Sequence, residues 1–314
     1  MTHPSPVIPA IVMTSGDRAA YRFLEFFTTQ IRNPHTRRAY ARAVGDFCAW
    51  LEDRHLPLIT AVTSVHVAAY IEGLGKMQSV PTVKQHLAAI RMLFDWLATG
   101  GILPFNPASA VRGPKHVVKR GKTPVLDARE ARQLLDSIDA GTPAGLRDRA
   151  LIGLMVYTFA RIGAATAMAV GDVYVQNRRL WVSLREKGGQ VVALPCHHTL
   201  EDYLHAYLDS TGIAGDRDGP LFRTLGRGTG QLTRTPLPQA NAYAMIQRRA
   251  KAAGLQTRIG NHTFRATGIT AYLRNGGTLE KAAAIAHHAS TRTTQLYDRR
   301  RDEVSLDEVE RILI

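Results

Sequence analysis

The sequence predicts a mainly α protein with a small antiparallel β-sheet, divided into an N-terminal helical bundle and a larger α+β domain. Apolar residues recur at helical spacing from residue 17 to about residue 103. A proline-rich, cationic stretch without an acidic residue follows over residues 104–124. Two strand-like runs then flank Lys187-Gly188-Gly189-Gln190, a hairpin signal. At 314 residues the chain is long enough for two compact domains.

The bundle is expected to hold four short helices. Tyr21, Leu24, Phe26 and Phe27 mark the first, after a tail over residues 1–16. Asn33-Pro34-His35-Thr36 opens a second, with Tyr40, Val44, Phe47, Trp50 and Leu51 at spacings of three and four. Thr63-Ser64 opens a third, carrying Val67, Tyr70, Ile71 and Leu74. Ser79-Val80-Pro81-Thr82 opens a fourth, which runs through Leu87, Ile90, Leu93, Phe94 and Leu97 to Gly100-Gly101. Pro104, Pro107, Pro114 and Pro124, with Arg112, Lys115, Lys119, Arg120 and Lys122, then read as an extended basic linker over residues 105–124.

The second domain, residues 125–314, starts with Leu126-Asp127 and Glu130 heading a helix that carries Ala131, Leu134, Leu135 and Ile138. Residues 149–159 form a mostly apolar, buried helix. Strands are expected at residues 180–184 and 191–194, on either side of the hairpin turn. Helices return after Leu200, and Val304, Leu306, Val309, Ile312 and Leu313 mark a terminal amphipathic helix.

Lys+Arg total 40 against 26 Asp+Glu, giving 40 − 26 = +14. Such an excess favours a polyanionic partner, because each neutralised phosphate releases condensed counterions. The two cysteines, Cys48 and Cys196, make no disulfide framework and lack paired metal-ligand spacing. No apolar run approaches the roughly 20 residues that cross a bilayer, and residues 1–16 carry no secretory pattern. A reducing cytoplasm is the expected compartment, with no membrane partner.

Chemistry-bearing residues concentrate at residues 261–298. His262 and Arg265, three apart, share one helical face. His287-His288 and Tyr297 follow, while Arg161 and Lys187 stand upstream. Arginine stays charged and presents a planar fork of donors suited to phosphate. A tyrosine phenol, with a free pKa near 10, needs neighbouring cations to act as a nucleophile at neutral pH. A histidine pair also suggests a metal, but neither an HExxH pattern nor a carboxylate cluster accompanies it.

Residues 261–298 resemble the signature region of the phage-integrase and Xer-type tyrosine recombinase family. His288-Ala289-Ser290-Thr291-Arg292-Thr293-Thr294-Gln295-Leu296-Tyr297 is similar to its closing motif, and the resemblance covers residues 17–314. It implies a site-specific DNA recombinase of a two-domain, Xer-like, mobile-element kind, bacterial and nucleoid-associated on DNA. Tyr297 would attack phosphorus and form a 3′-phosphotyrosyl link. Arg161 and Arg265 would clamp the scissile phosphate. His262 would handle protons, and His288 would donate to the phosphate, with His287 a competitor for that role. Lys187 would protonate the leaving 5′-oxygen. No cofactor or metal is implied, because transesterification conserves the phosphodiester energy.

The same resemblance makes residues 17–104 a SAM-like core-binding domain, carried by Thr36-Arg37-Arg38-Ala39-Tyr40 through Trp50-Leu51. Arg37, Arg38, Arg42, Lys84, His86 and Arg91 are candidate DNA contacts there, and Lys115, Lys119 and Arg120 in the linker. The implied partner is double-stranded DNA with an inverted-repeat site, bound by a homotetramer across two sites. Residues 302–314 would pass to a neighbouring subunit or pack back on their own domain. No arm-binding domain is expected before residue 17.

The sequence departs from the family near Arg161, where Phe159 stands for a frequent glycine and Ala164 for a frequent glutamate. Ala286-His287 replaces a common Leu-Gly. Two other functions therefore remain open: a type IB topoisomerase-like strand transferase, and a regulatory DNA-binding relative with impaired cleavage.

Overall fold

The computed structural model describes residues 8–116, 118, 121–186, 189–298 and 310. The chain separates into two compact units, Met1–Val117 and Val118–Ile314.

In the first unit, α1 (Ala10–Met13) precedes α2 (Asp17–Glu25), which continues through a π-helical turn at Phe26–Gln30. Three longer helices follow: α3 (Pro34–Glu52), α4 (Ser64–Met77) and α5 (Val80–Thr99). Local chemistry sets their starts. The Asn33 side chain accepts from the backbone N–H groups of His35 and Thr36, and Pro34 occupies the first helical position. The His66 ring accepts from the Thr63 backbone N–H at 3.1 Å. Apolar faces converge on Phe23, Phe26, Phe27, Phe47, Leu51, Ile90, Leu93 and Phe94, all buried.

Two expectations about this unit are corrected. Residues 8–16 are not merely a tail: α1 buries Ile11 and Val12 in the core, and the Ile11 N–H donates to Glu52 at 2.9 Å. The segment after α5 is not extended throughout. Leu103, Ala108 and Val111 are buried in the bundle, and the Arg91 guanidinium donates to the Ala108 and Val111 carbonyls. Unpaired carbonyls in a buried turn are costly, and Arg91 supplies the donors.

The second unit begins with α6 (Ala128–Asp136), closed at its start by reciprocal Asp127 and Glu130 bonds. Next come α7 (Pro143–Tyr157) and the short α8 (Ile162–Thr166). Strands β1 (Val173–Gln176), β2 (Arg179–Arg185) and β3 (Val191–Pro195) form an antiparallel sheet in that order. Leu184 pairs with Val192 across the hairpin, and Leu180, Val182 and Leu184 turn the same face inward. After α9 (His198–Thr211), a two-stranded hairpin joins β4 (Arg223–Leu225) to β5 (Leu232–Pro236). Then follow α10 (Gln239–Ala252), α11 (Asn261–Arg274), α12 (Leu279–Ile285) and α13 (Thr291–Gln295).

Helix α7 is buried nearly all round, which puts Arg147 and Asp148 inside the core. Their charges are satisfied there: Asp148 accepts from Arg147 at 2.6 Å and from Arg249 at 2.8 Å. A separate apolar cluster of Phe159, Ile269, Leu273, Ala282 and Ala286 fastens α11 to α12. No described helix is long and apolar enough to cross a membrane. The amphipathic helix expected over residues 302–314 lies outside the described residues, apart from residue 310.

Candidate active site

Arg265 is the hub of the site. It lies in the first turns of α11, is 2% exposed, and donates to two main-chain carbonyls, Phe159 O and Ala286 O. The first belongs to the corner between α7 and α8, and the second to the end of α12. One buried guanidinium therefore ties together the segments that carry Arg161 and His288. The corners are unusual, because Phe159 and His287 both have left-handed backbones, with φ of 54° and 51°.

Beyond the first corner, Arg161 occupies the residue just before α8 and pairs with Glu186 at the end of the β2 hairpin arm. Beyond the second, the His288 N–H donates to Ala283 O, and its Nδ1 meets Thr294 Oγ1 at 2.9 Å. The His288 ring lies parallel to that of Tyr297, with centroids 5.9 Å apart and planes 7° from parallel. Tyr297 is held from its backbone side, where Thr270 Oγ1 donates to its carbonyl at 2.9 Å.

Burial and the two guanidiniums shape the protonation of the site. His288 is pushed down to about 4, by burial first and then by Arg265 and Arg161. His262, at the start of α11 with its residue still open to solvent, is lowered by desolvation and the same arginines. Both rings are neutral at pH 7, so each offers one N–H. Where Thr294 donates to Nδ1 of His288, Nε2 carries that hydrogen. Arg265 is lowered to about 10 by burial and by Arg161, against the opposing pull of Glu186 and Tyr297, and stays charged.

The structure thus brings Arg161, Arg265, His288 and Tyr297 into one connected set, with His262 close enough to feel both arginines. It also separates the adjacent histidines: His288 stacks on Tyr297, whereas His287 Nε2 pairs with Gln190 Oε1 on the hairpin. Lys187 lies outside the described residues. Its flanks form a tight turn, in which the Glu186 N–H donates to Gln190 O at 2.8 Å and Gly189 takes a φ of 81° that suits glycine. Among the described residues, no group of three or more His, Cys, Asp or Glu is placed to hold a metal ion.

The candidate DNA contacts divide. Arg38, Arg42, Lys84 and Lys115 are exposed. Arg37 is half-buried and donates to Ile31 O at 2.8 Å. His86 is corrected: it is 8% exposed, bonded through Nδ1 to the Tyr70 hydroxyl at 3.0 Å, and belongs to the bundle interior. Arg91 is likewise occupied by the Ala108 and Val111 carbonyls. Lys119 and Arg120 lie outside the described residues. Sequence reasoning missed Glu186, Thr294, Thr270 and Gln190 as partners of the site. Only Thr294 had a visible signal, standing three residues before Tyr297 in the Thr-Thr-Gln motif.

The phage integrase family model matches residues 124–303, and a phage integrase N-terminal SAM-like domain model matches residues 21–101. The chain belongs to the phage integrase family. Family membership makes it a tyrosine-type site-specific DNA recombinase. It is 28% identical over 274 residues to tyrosine recombinase XerD of Corynebacterium glutamicum, covering 84% of this chain and 86% of that protein. Tyrosine recombinase XerC of Xylella fastidiosa is 27% identical over 264 residues, covering 84% and 85%.

Solved structures share the fold at lower identity. The XerH recombinase bound to a palindromic difH substrate superposes with a TM-score of 0.70 at 16% identity, over 96% of this chain and 97% of that one. A lambda integrase (75–356) dimer bound to a COC′ core site gives 0.68 at 19%, over 91% and 97%.

Proposed function

We propose that Tyr297 is the nucleophile of DNA strand exchange and that it forms a 3′-phosphotyrosyl link. Arg161 and Arg265 neutralise charge on the nonbridging oxygens, His262 and His288 donate neutral N–H groups, and Lys187 protonates the leaving 5′-oxygen. The observation that carries this reading is the Arg265 guanidinium, bonded at once to Phe159 O and Ala286 O, with His288 beyond the second corner stacked on the Tyr297 ring. The role of Lys187 rests on its place in the hairpin sequence beside Glu186.

The partner is duplex DNA with an inverted-repeat site, taken up by a homotetramer joining two sites in the cytoplasm. Solved relatives with this fold were captured on DNA, one as a lambda integrase tetramer on a Holliday junction. Arg38, Arg42, Lys84 and Lys115 are exposed cations available for phosphate contacts, which give affinity and salt dependence without sequence choice.

The test is covalent trapping on nicked suicide duplexes drawn from DNA flanking the gene. The wild-type chain should yield a denaturation-resistant adduct, and Tyr297→Phe should yield none while binding the same duplex. An adduct that persists in Tyr297→Phe removes the nucleophile assignment.

A further inference from the structure

Glu186 is a carboxylate that neither composition nor motif singled out. Its side chain is only 5% exposed, and the hairpin fixes its backbone: its N–H donates to Gln190 O, and its carbonyl accepts from Gly189 at 3.1 Å. A carboxylate buried this far needs a cationic partner or it gives up its charge. Arg161 Nη1 donates to Glu186 Oε2.

The Arg161 side chain stays 35% exposed, so it faces solvent on one side and the carboxylate on the other. A guanidinium has five N–H donors, and the contact with Glu186 leaves most of them free for a phosphate. Repulsion shapes the same spot. Arg161 weakens the hold of Arg265, His262 and His288 on their protons, while Glu186 acts on Arg265 in the opposite sense. Helix α8 offers no carboxylate of its own, since Ala164 stands three residues after Arg161.

We propose that Glu186 is the positioning residue for Arg161: from the hairpin it fixes the plane of the guanidinium, so that the remaining N–H groups face the scissile phosphate. This rests on Arg161 being a phosphate clamp. The pair also couples the hairpin that carries Lys187 to α8, so that hairpin and clamp are set by one contact.

The experiment is single-turnover cleavage on a suicide duplex that the wild-type chain converts to adduct, with DNA affinity and melting temperature measured beside it. Glu186→Gln keeps the shape and removes the charge. It should slow cleavage about 10- to 100-fold, the scale of a misaligned reacting group, with DNA affinity undiminished because the lost charge is negative. In an Arg161→Lys background the same substitution should add little, since a lysine ammonium has no guanidinium plane for Glu186 to fix. Wild-type or faster cleavage by Glu186→Gln overturns the proposal, as does full additivity with Arg161→Lys. So does a loss of melting temperature or affinity that accounts for the slower rate. If Arg161→Lys itself cleaves normally, the clamp reading falls; if only Glu186→Gln is silent, that reading stands and this one falls.

Discussion

Arg265→Lys should damage the fold as well as the reaction, and Arg161→Lys should not. Arg265 is 2% exposed and serves both Phe159 O and Ala286 O. A lysine ammonium on a shorter, unforked head reaches one of these carbonyls at best. Losing one hydrogen bond to a charged group and stranding a buried acceptor costs about 2–3 kcal/mol. For a unit the size of Val118–Ile314, that lowers the melting temperature by about 5–10 °C. The Arg161 side chain is 35% exposed and keeps an ammonium partner for Glu186 after substitution, so its cost stays within about 1 kcal/mol. Calorimetry on both variants without DNA makes the comparison. Equal melting temperatures would refute the reasoning, because they would mean the two carbonyls do not depend on the Arg265 fork.

Two further outcomes follow from packing and protonation. A Cβ at Gly268 would meet Val156 O at 2.1 Å and the Phe159 ring at 2.8 Å, so Gly268→Ala must push α11 off α7, destabilising by about 1–3 kcal/mol and slowing cleavage; wild-type melting would disprove that close approach. His288 has its pKa lowered from 6.5 to about 4 on folding, so the unfolded ring takes up a proton first as pH falls. Its stabilising contribution is complete above pH 6.5 and is lost toward pH 4, a gap of about 3 kcal/mol that partial solvation screens to roughly 1–2. His288→Gln should flatten the stability profile between those limits, and an unchanged slope would contradict the assignment.

Much of the fold could be read from local patterns. The helices α3, α4 and α5 announce themselves through a cap or a proline followed by long apolar periodicity, and each forms where those signals place it. The hairpin around Gly189 was visible because strand-like runs flank a glycine pair. The short elements were not: α1 spans one turn and owes its place to Ile11 and Val12 meeting a core assembled elsewhere. His86 and Arg91 looked like surface cations because sequence spacing does not reveal what a distant tyrosine or a returning turn will offer them. Within the site, the residues carried by the motif were legible, whereas Glu186 was not. Its partner lies 25 positions earlier, and only tertiary structure joins them.

The left-handed corners at Phe159 and His287 stand where the resemblance leads us to expect glycine. A bulky residue there costs about 1–2 kcal/mol in backbone strain, yet each side chain finds an anchor. Phe159 packs edge-on against Tyr272 with ring centroids 6.2 Å apart, and His287 reaches Gln190 on the hairpin. Glycine would relax the turn and leave nothing to hold on with. In this chain the bends next to Arg161 and His288 also serve as rivets, so freedom of the main chain has been exchanged for a candidate site stitched to its surroundings at both corners.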